Sequence, residues 1–155
     1  MKQLNTTLML IIKNNKILLA CKKRGFGLGK FNGIGGKVEP NETVINAAIR
    51  ETQEEIFITP LNPILKGIIE FDEFYKGERT QVIMHIFVAN SYSGRIKESD
   101  EMKPKWFNLN SIPYESMFPD DKLWLPKILK GETFKGKFKF DENFNLINYK
   151  FYSFC

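Results

Sequence analysis

Histidine occurs once in this chain and cysteine twice, and neither number supports a metal or disulfide scaffold. Cys21 and Cys155 are too few and too isolated for a disulfide framework or a zinc site, which fits a reducing, cytoplasmic setting. Long apolar runs are also missing. The longest wholly apolar stretch near the start covers residues 8–12, far short of a membrane span or a signal-peptide core, so neither a membrane partner nor export is expected. Repeats and low-complexity linkers are absent too. What is present is enough for a core: 155 residues, 43% of them hydrophobic, predict one domain spanning 1–155. The net charge of +5 favours an anionic partner. Its cations are spread out, densest at 22–24 and 135–139, and a phosphate-bearing small molecule accounts for them as well as nucleic acid does.

Residues 4–13 and 16–22 are apolar-rich and separated by Asn14-Asn15, the pattern of a β-hairpin. Thr7 lies in the first strand, where threonine is an ordinary filler. Residues 22–37, K-K-R-G-F-G-L-G-K-F-N-G-I-G-G-K, form a glycine-rich loop whose backbone can approach a ligand closely. Residues 65–75 and 80–90 read as two strands joined at Lys76-Gly77, the second covered on both faces. His85 within it is expected to be a satisfied core residue. A short strand is expected around Trp106-Phe107, then a loop bracketed by Pro113 and Pro119. Asp120-Asp121 open a second helix that runs to about Lys130 and stops at Gly131. Residues 133–140 alternate lysine and phenylalanine, residues 141–143 turn, and residues 145–154 return as a second hairpin. The alternation superficially resembles a base-stacking platform, but a half-buried strand with its lysines in water explains it. The order ββ-loop-α-ββ-β-α-ββ is an α+β pattern, a mixed β-sheet with helices packed on its faces.

Between the glycine-rich loop and the third strand, G-K-V-E-P-N-E-T-V-I-N-A-A-I-R-E-T-Q-E-E-I-F-I covers residues 36–58. Val44, Ala47 and Ala48 recur at helical spacing, and Asn41 or Thr43 is placed to cap the helix. Glu51, Glu54 and Glu55 are related by i, i+3 and i, i+4, so their carboxylates crowd one face near the negative end of the helix dipole. For stability alone this is unfavourable, yet a glutamate-rich helix end taken by itself is more often a solvated acidic face, screened by Arg50 and water, than a metal site. A hard divalent cation makes it favourable, since Mg²⁺ takes a few carboxylate oxygens together with water and phosphate.

The whole arrangement, Gly36, then Glu42, then Arg50-Glu51-Thr52-Gln53-Glu54-Glu55, resembles the signature of the Nudix hydrolases. Phe57 stands where that family has a glycine, and a phenylalanine turns left-handed there only at a cost. The stretches 22–27, 31–33, 35–38, 98–102, Trp106-Phe107, Ile112-Pro113 and Pro119-Asp120-Asp121 are similar to the MutT-homologue branch, the animal-type oxidised purine nucleoside triphosphatases. The resemblance implies a Nudix fold, an α/β/α sandwich. It also implies Mg²⁺-dependent conversion of 8-oxo-dGTP or 2-oxo-dATP to monophosphate and pyrophosphate, with Mn²⁺ able to substitute. Its implied metal ligands are the Gly36 carbonyl, Glu51, Glu54, Glu55 and Glu101, with Glu55 first choice for activating water. Glu42 and Arg50 are implied braces, and Lys22 faces the phosphates. Asn32, Asp120 and Asp121 read the purine edge, Thr7, Phe26 and Met102 shape the pocket, and Phe118 takes the place of a base-stacking tryptophan.

Two readings of Asp120-Asp121 stand side by side. As a helix start, both acids are favoured by capping and dipole. As a proton-sharing pair, they present one donor and one acceptor, and so suit a 6-oxo or a 6-amino purine. Two rival functions also stand: hydrolysis of undamaged or methylated nucleotides, and a catalytically inactive module binding nucleotide or RNA. The main reading expects a monomer with a small-molecule nucleotide substrate and no stable nucleic-acid partner.

Overall fold

The computed structural model describes residues 1–153, so Phe154 and Cys155, the end of the predicted last strand and one of the two cysteines, lie outside the described residues. In chain order the elements are β1 (Lys2–Lys13), β2 (Lys16–Lys22), β3 (Phe31–Asn32), α1 (Val44–Ile56), β4 (Ile58–Pro60), β5 (Ile64–Tyr75), β6 (Glu78–Ala89), β7 (Tyr92–Gly94) and β8 (Met102–Asn108). A 3₁₀ turn (Tyr114–Ser116), α2 (Asp121–Leu129), β9 (Phe134–Phe140) and β10 (Leu146–Tyr152) complete them.

One eight-stranded sheet runs β10-β9-β5-β6-β1-β2-β3, with β8 also paired to β2. Two of its pairings are parallel, β1 with β6 and β5 with β9; the rest are antiparallel. The sheet is therefore mixed, as expected. Both faces of β1 are covered, because successive side chains point to opposite sides. Leu8 and Leu10 join Trp124, Leu125 and Ile128 of α2 in one cluster. Met9 and Ile11 join Ala48 and Ile56 of α1 in the other. This is the α/β/α sandwich.

Three tight turns use left-handed residues as the sequence predicts: Asn14 and Asn15 at φ 52° and 64°, Lys76 and Gly77 at 53° and 76°, and Gly131 at 81°. The helix cap is Thr43, whose Oγ1 accepts from the Asn46 N–H at 3.2 Å; Asn41, the other candidate, sits in the preceding turn at φ 65°. Three short strands escaped prediction: β3, inside the expected glycine-rich loop, and β4 and β7. β4 and β7 pair only with each other, and three residues apiece are too few for any periodicity to register. The last turn is also longer than predicted. Asp141 Oδ1 accepts from both Asn143 and Asn145 N–H, which turns Phe144 inward against Phe140 before β10 begins.

The sheet splays where the site lies. β1 and β2 pair only from Ile11 to Lys13, and β2 then departs to pair with β8 and β3. Residues 33–37 fill the gap along β1, with the Ile34 carbonyl accepting from Met9 N–H at 2.6 Å and the Gly36 carbonyl from Thr7 N–H at 2.9 Å. The approach leaves no room for side chains. A Cβ on Gly35 would lie 1.8 Å from the Thr7 carbonyl oxygen, and one on Gly36 would lie 2.4 Å from Glu51 Cδ.

Candidate active site

Residues 22–37 border two regions: a carboxylate cluster on α1 and an aromatic cavity beneath α2. The cluster begins with Arg50, which binds Glu42 through Nε at 2.6 Å and Nη2 at 3.0 Å and donates to the Lys37 carbonyl at 3.0 Å. Arg50 Nη1 also reaches Glu51 at 3.0 Å and Glu54 at 3.2 Å. Arg50 therefore ties the loop before the helix to the helix face that carries the acids. The hydrogen bond from Arg50 holds Glu42 below the usual carboxylate range. Glu42 and Arg50 are braces.

Glu51 and Glu55 lie deeper. Burial pushes both above the ordinary carboxyl range, Glu55 to about 8, with the Glu51 charge adding to the rise and Lys22 opposing it. Glu55 Oε2 is buried with no hydrogen-bond partner among the described residues. Glu54, 58% exposed, is turned toward Arg50. Glu101 adjoins this group through its field on Glu55 and is itself held by Arg24 Nη2 at 2.8 Å and Lys22 Nζ at 3.2 Å. The Arg24 and Lys22 contacts keep Glu101 below the usual range.

Among the described residues, no three histidine, cysteine, aspartate or glutamate side chains converge as a closed cation cage. The donor set nonetheless fits a hard divalent ion. It consists of carboxylate oxygens and the Gly36 carbonyl, whose second lone pair is free of Thr7, and it includes the orphaned Oε2 of Glu55. An unpartnered buried carboxyl oxygen is costly unless a cation takes it up.

The second region is a cavity of about 120 Å³. Of the residues singled out from the sequence, Phe26, Asn32, Phe118, Asp120 and Asp121 line it together. Phe26, 72% exposed, stacks on Phe118 with ring centroids 5.7 Å apart and an interplanar angle of 15°. Asp120 and Asp121 are only 4% and 2% exposed, far more buried than solvated helix-starting acids. Asp120 Oδ2 accepts from Trp124 Nε1 at 2.8 Å, and Asp121 Oδ2 accepts from the Phe118 N–H at 2.9 Å. Burial raises both acids, and the Asp120 charge adds to the rise at Asp121.

Two residues expected to shape the pocket, Thr7 and Met102, are not in the cavity wall, nor is Lys22, which is expected to face the phosphates. Thr7 is buried on β1, its N–H bonded to the Gly36 carbonyl and its hydroxyl without a partner among the described residues. Met102 packs in the core cluster under α1. Lys22 points at Glu101. Conversely, the wall includes Phe71, Glu73, Met84 and Phe144, which sequence reasoning missed. Alternation along β5 groups Phe71 with Glu73, but it does not say which face meets the cavity.

A model of the NUDIX domain matches residues 1–128. The chain belongs to the Nudix hydrolase family. It is 43% identical over 144 residues to a zebrafish (Danio rerio) protein named oxidized purine nucleoside triphosphate hydrolase, covering 93% of this chain and 91% of that one. The mouse (Mus musculus) protein of the same name is 39% identical over 145 residues, covering 92% and 90%. A crystal structure of a mutator MutT protein from Bacillus halodurans superposes with a TM-score of 0.85 at 28% identity, covering 96% of this chain and 97% of that one.

Proposed function

We propose that this enzyme hydrolyses oxidised purine deoxynucleoside triphosphates, 8-oxo-dGTP and 2-oxo-dATP, to the monophosphate and pyrophosphate, removing damaged precursors from the nucleotide pool. The observation that carries the reading is the buried Asp120-Asp121 pair in an aromatic cavity, joined by one glycine-rich segment to the Glu51-Glu55 pair. The base lies between aromatic faces, Asn32 and the aspartates meet its edge, and the phosphates extend toward Lys22 and α1.

Glu51, Glu54, Glu55, Glu101 and the Gly36 carbonyl are the residues that would hold magnesium, or manganese in its place. An ion bound there would supply charge neutralisation on the polyphosphate and a more acidic water. Glu55, once deprotonated, accepts the proton of the attacking water. A new O–P bond forms as the anhydride P–O bond breaks, and the pyrophosphate leaves with the bonding electron pair. Lys22 offsets charge on the phosphates, and Arg50 keeps Glu51 and Glu54 aimed. The enzyme works as a cytosolic monomer on a small-molecule substrate.

A second reading keeps this chemistry and changes the base, because a proton-sharing aspartate pair suits undamaged or methylated purines as well. The decisive experiment measures kcat/KM for 8-oxo-dGTP, 2-oxo-dATP, dGTP, dATP and methylated analogues with Mg²⁺, alongside Glu55→Gln. The expected result is a preference for the oxidised bases and a loss of roughly 10²–10⁴-fold in Glu55→Gln, the range of a missing general base. RNA binding without hydrolysis of any nucleotide would instead identify a binding module.

A further inference from the structure

Glu73 is the cavity residue that the fold does not explain. Along β5 it shares a face with Phe71, which packs on Phe138 and Phe140, whereas Asp72 on the opposite face is satisfied by a two-pronged ion pair with Arg79. Among the described residues the Glu73 carboxyl has no hydrogen bond and no ion pair, although its backbone pairs with Thr80 of β6. Burial, with the nearby Asp120 charge second, raises it to about 7. A carboxyl in this position is unfavourable for packing, and an apolar side chain would extend the surface of Phe71 instead.

The polar atoms around the cavity show what such a carboxyl can do. Asn32 Oδ1 accepts from the Gly33 N–H at 2.9 Å, so its amide NH₂ is left to donate. Asp120 and Asp121 have each committed one oxygen, to Trp124 and to Phe118 N–H. Glu73 has committed neither. Beyond the Asn32 amide and the aspartates, the uncommitted Glu73 oxygens add acceptor capacity to the wall, and a base edge carrying an exocyclic amine matches it.

Resting on the nucleotide hydrolase reading above, we propose that Glu73 accepts a hydrogen bond from an exocyclic amine of the bound base, and so makes this enzyme select amino-bearing purine triphosphates over their deaminated counterparts. Glu73 is thus a specificity residue, remote from the phosphates and without part in the hydrolytic step.

The test compares wild type, Glu73→Leu and Glu73→Gln on two matched pairs. These are 8-oxo-dGTP with 8-oxo-dITP, and dATP with the purine deoxyribonucleoside triphosphate that lacks the amine. In Glu73→Leu the kcat/KM ratio of amino-bearing to deaminated substrate falls about tenfold or more in at least one pair, the effect of leaving one polar partner unmatched. Glu73→Gln keeps a carbonyl acceptor and retains a preference for the amine. Thermal melting of Glu73→Leu is unchanged or higher, which separates the loss from unfolding. Equal kcat/KM changes for both members of each pair, with wild type active on them, overturn the Glu73 assignment alone. A wild type that cleaves no purine triphosphate overturns the hydrolase reading along with it.

Discussion

Phe57 leaves α1 at φ 66°, the left-handed conformation that its N–H uses to reach the Gln53 carbonyl. The tertiary structure accepts the strain of a side chain in this region instead of re-routing the helix exit. Half of that side chain is in water, at 49% exposure, so little packing offsets the strain. Phe57→Gly is expected to stabilise the protein by about 0.5–1 kcal/mol and raise its melting temperature by a few degrees, as read by calorimetry. Glu55 carries a different strain. Its pKa of about 8 in the fold lies above the ordinary 4.5, so the fold binds its proton more tightly than the unfolded chain does. Stability from this group is therefore present at low pH and is lost as pH rises from about 4.5 through 8. In metal-free protein, Glu55→Gln should match wild type near pH 5 and exceed it by on the order of 1–2 kcal/mol above pH 8, in denaturant titrations. Because metal binding must displace the same proton, hydrolysis by wild type should increase toward alkaline pH.

At the scale of elements, the segment over residues 33–37 is what brings the loop, β1 and α1 into one site. Its closeness to β1 depends on Gly35, since a methyl there would meet backbone that cannot give way. Gly35→Ala is expected to cost several kcal/mol or prevent folding, checked by circular dichroism melting. At Gly36 the added methyl meets a side chain instead, the Glu51 carboxyl. Gly36→Ala should therefore fold but lose activity by about tenfold or more if Glu51 holds the metal as proposed, the scale expected when a site group is displaced by about an ångström. The α2 start works by similar coupling. Trp124 holds Asp120 from one turn further along the helix, so the core residue at that site also sets the geometry of the aromatic cavity.

For the molecule as a whole, the parallel pairings matter most. β1 joins β6 and β5 joins β9, so both halves of the chain share one sheet, and neither helix has a core without it. We expect residues 1–155 to unfold in a single transition, with calorimetric and van't Hoff enthalpies equal. Two transitions would refute the one-domain organisation.

The sequence by itself determined those features whose signal is local. Tight turns at Asn14-Asn15 and Lys76-Gly77, the helix over Glu51, Glu54 and Glu55, and the lysine–phenylalanine alternation of β9 all follow from residues a few positions apart. Much of the cavity was legible too, but only through resemblance, because Phe26, Asn32, Phe118 and Asp121 come from distant parts of the chain. Tertiary structure alone decided that Glu73 faces inward and Asp72 outward, that Phe144 closes the aromatic cluster, and that Thr7 and Met102 lie outside the cavity wall. A strand's period of two sorts side chains into two faces, and only the packing of other elements settles which face becomes core, solvent or binding site.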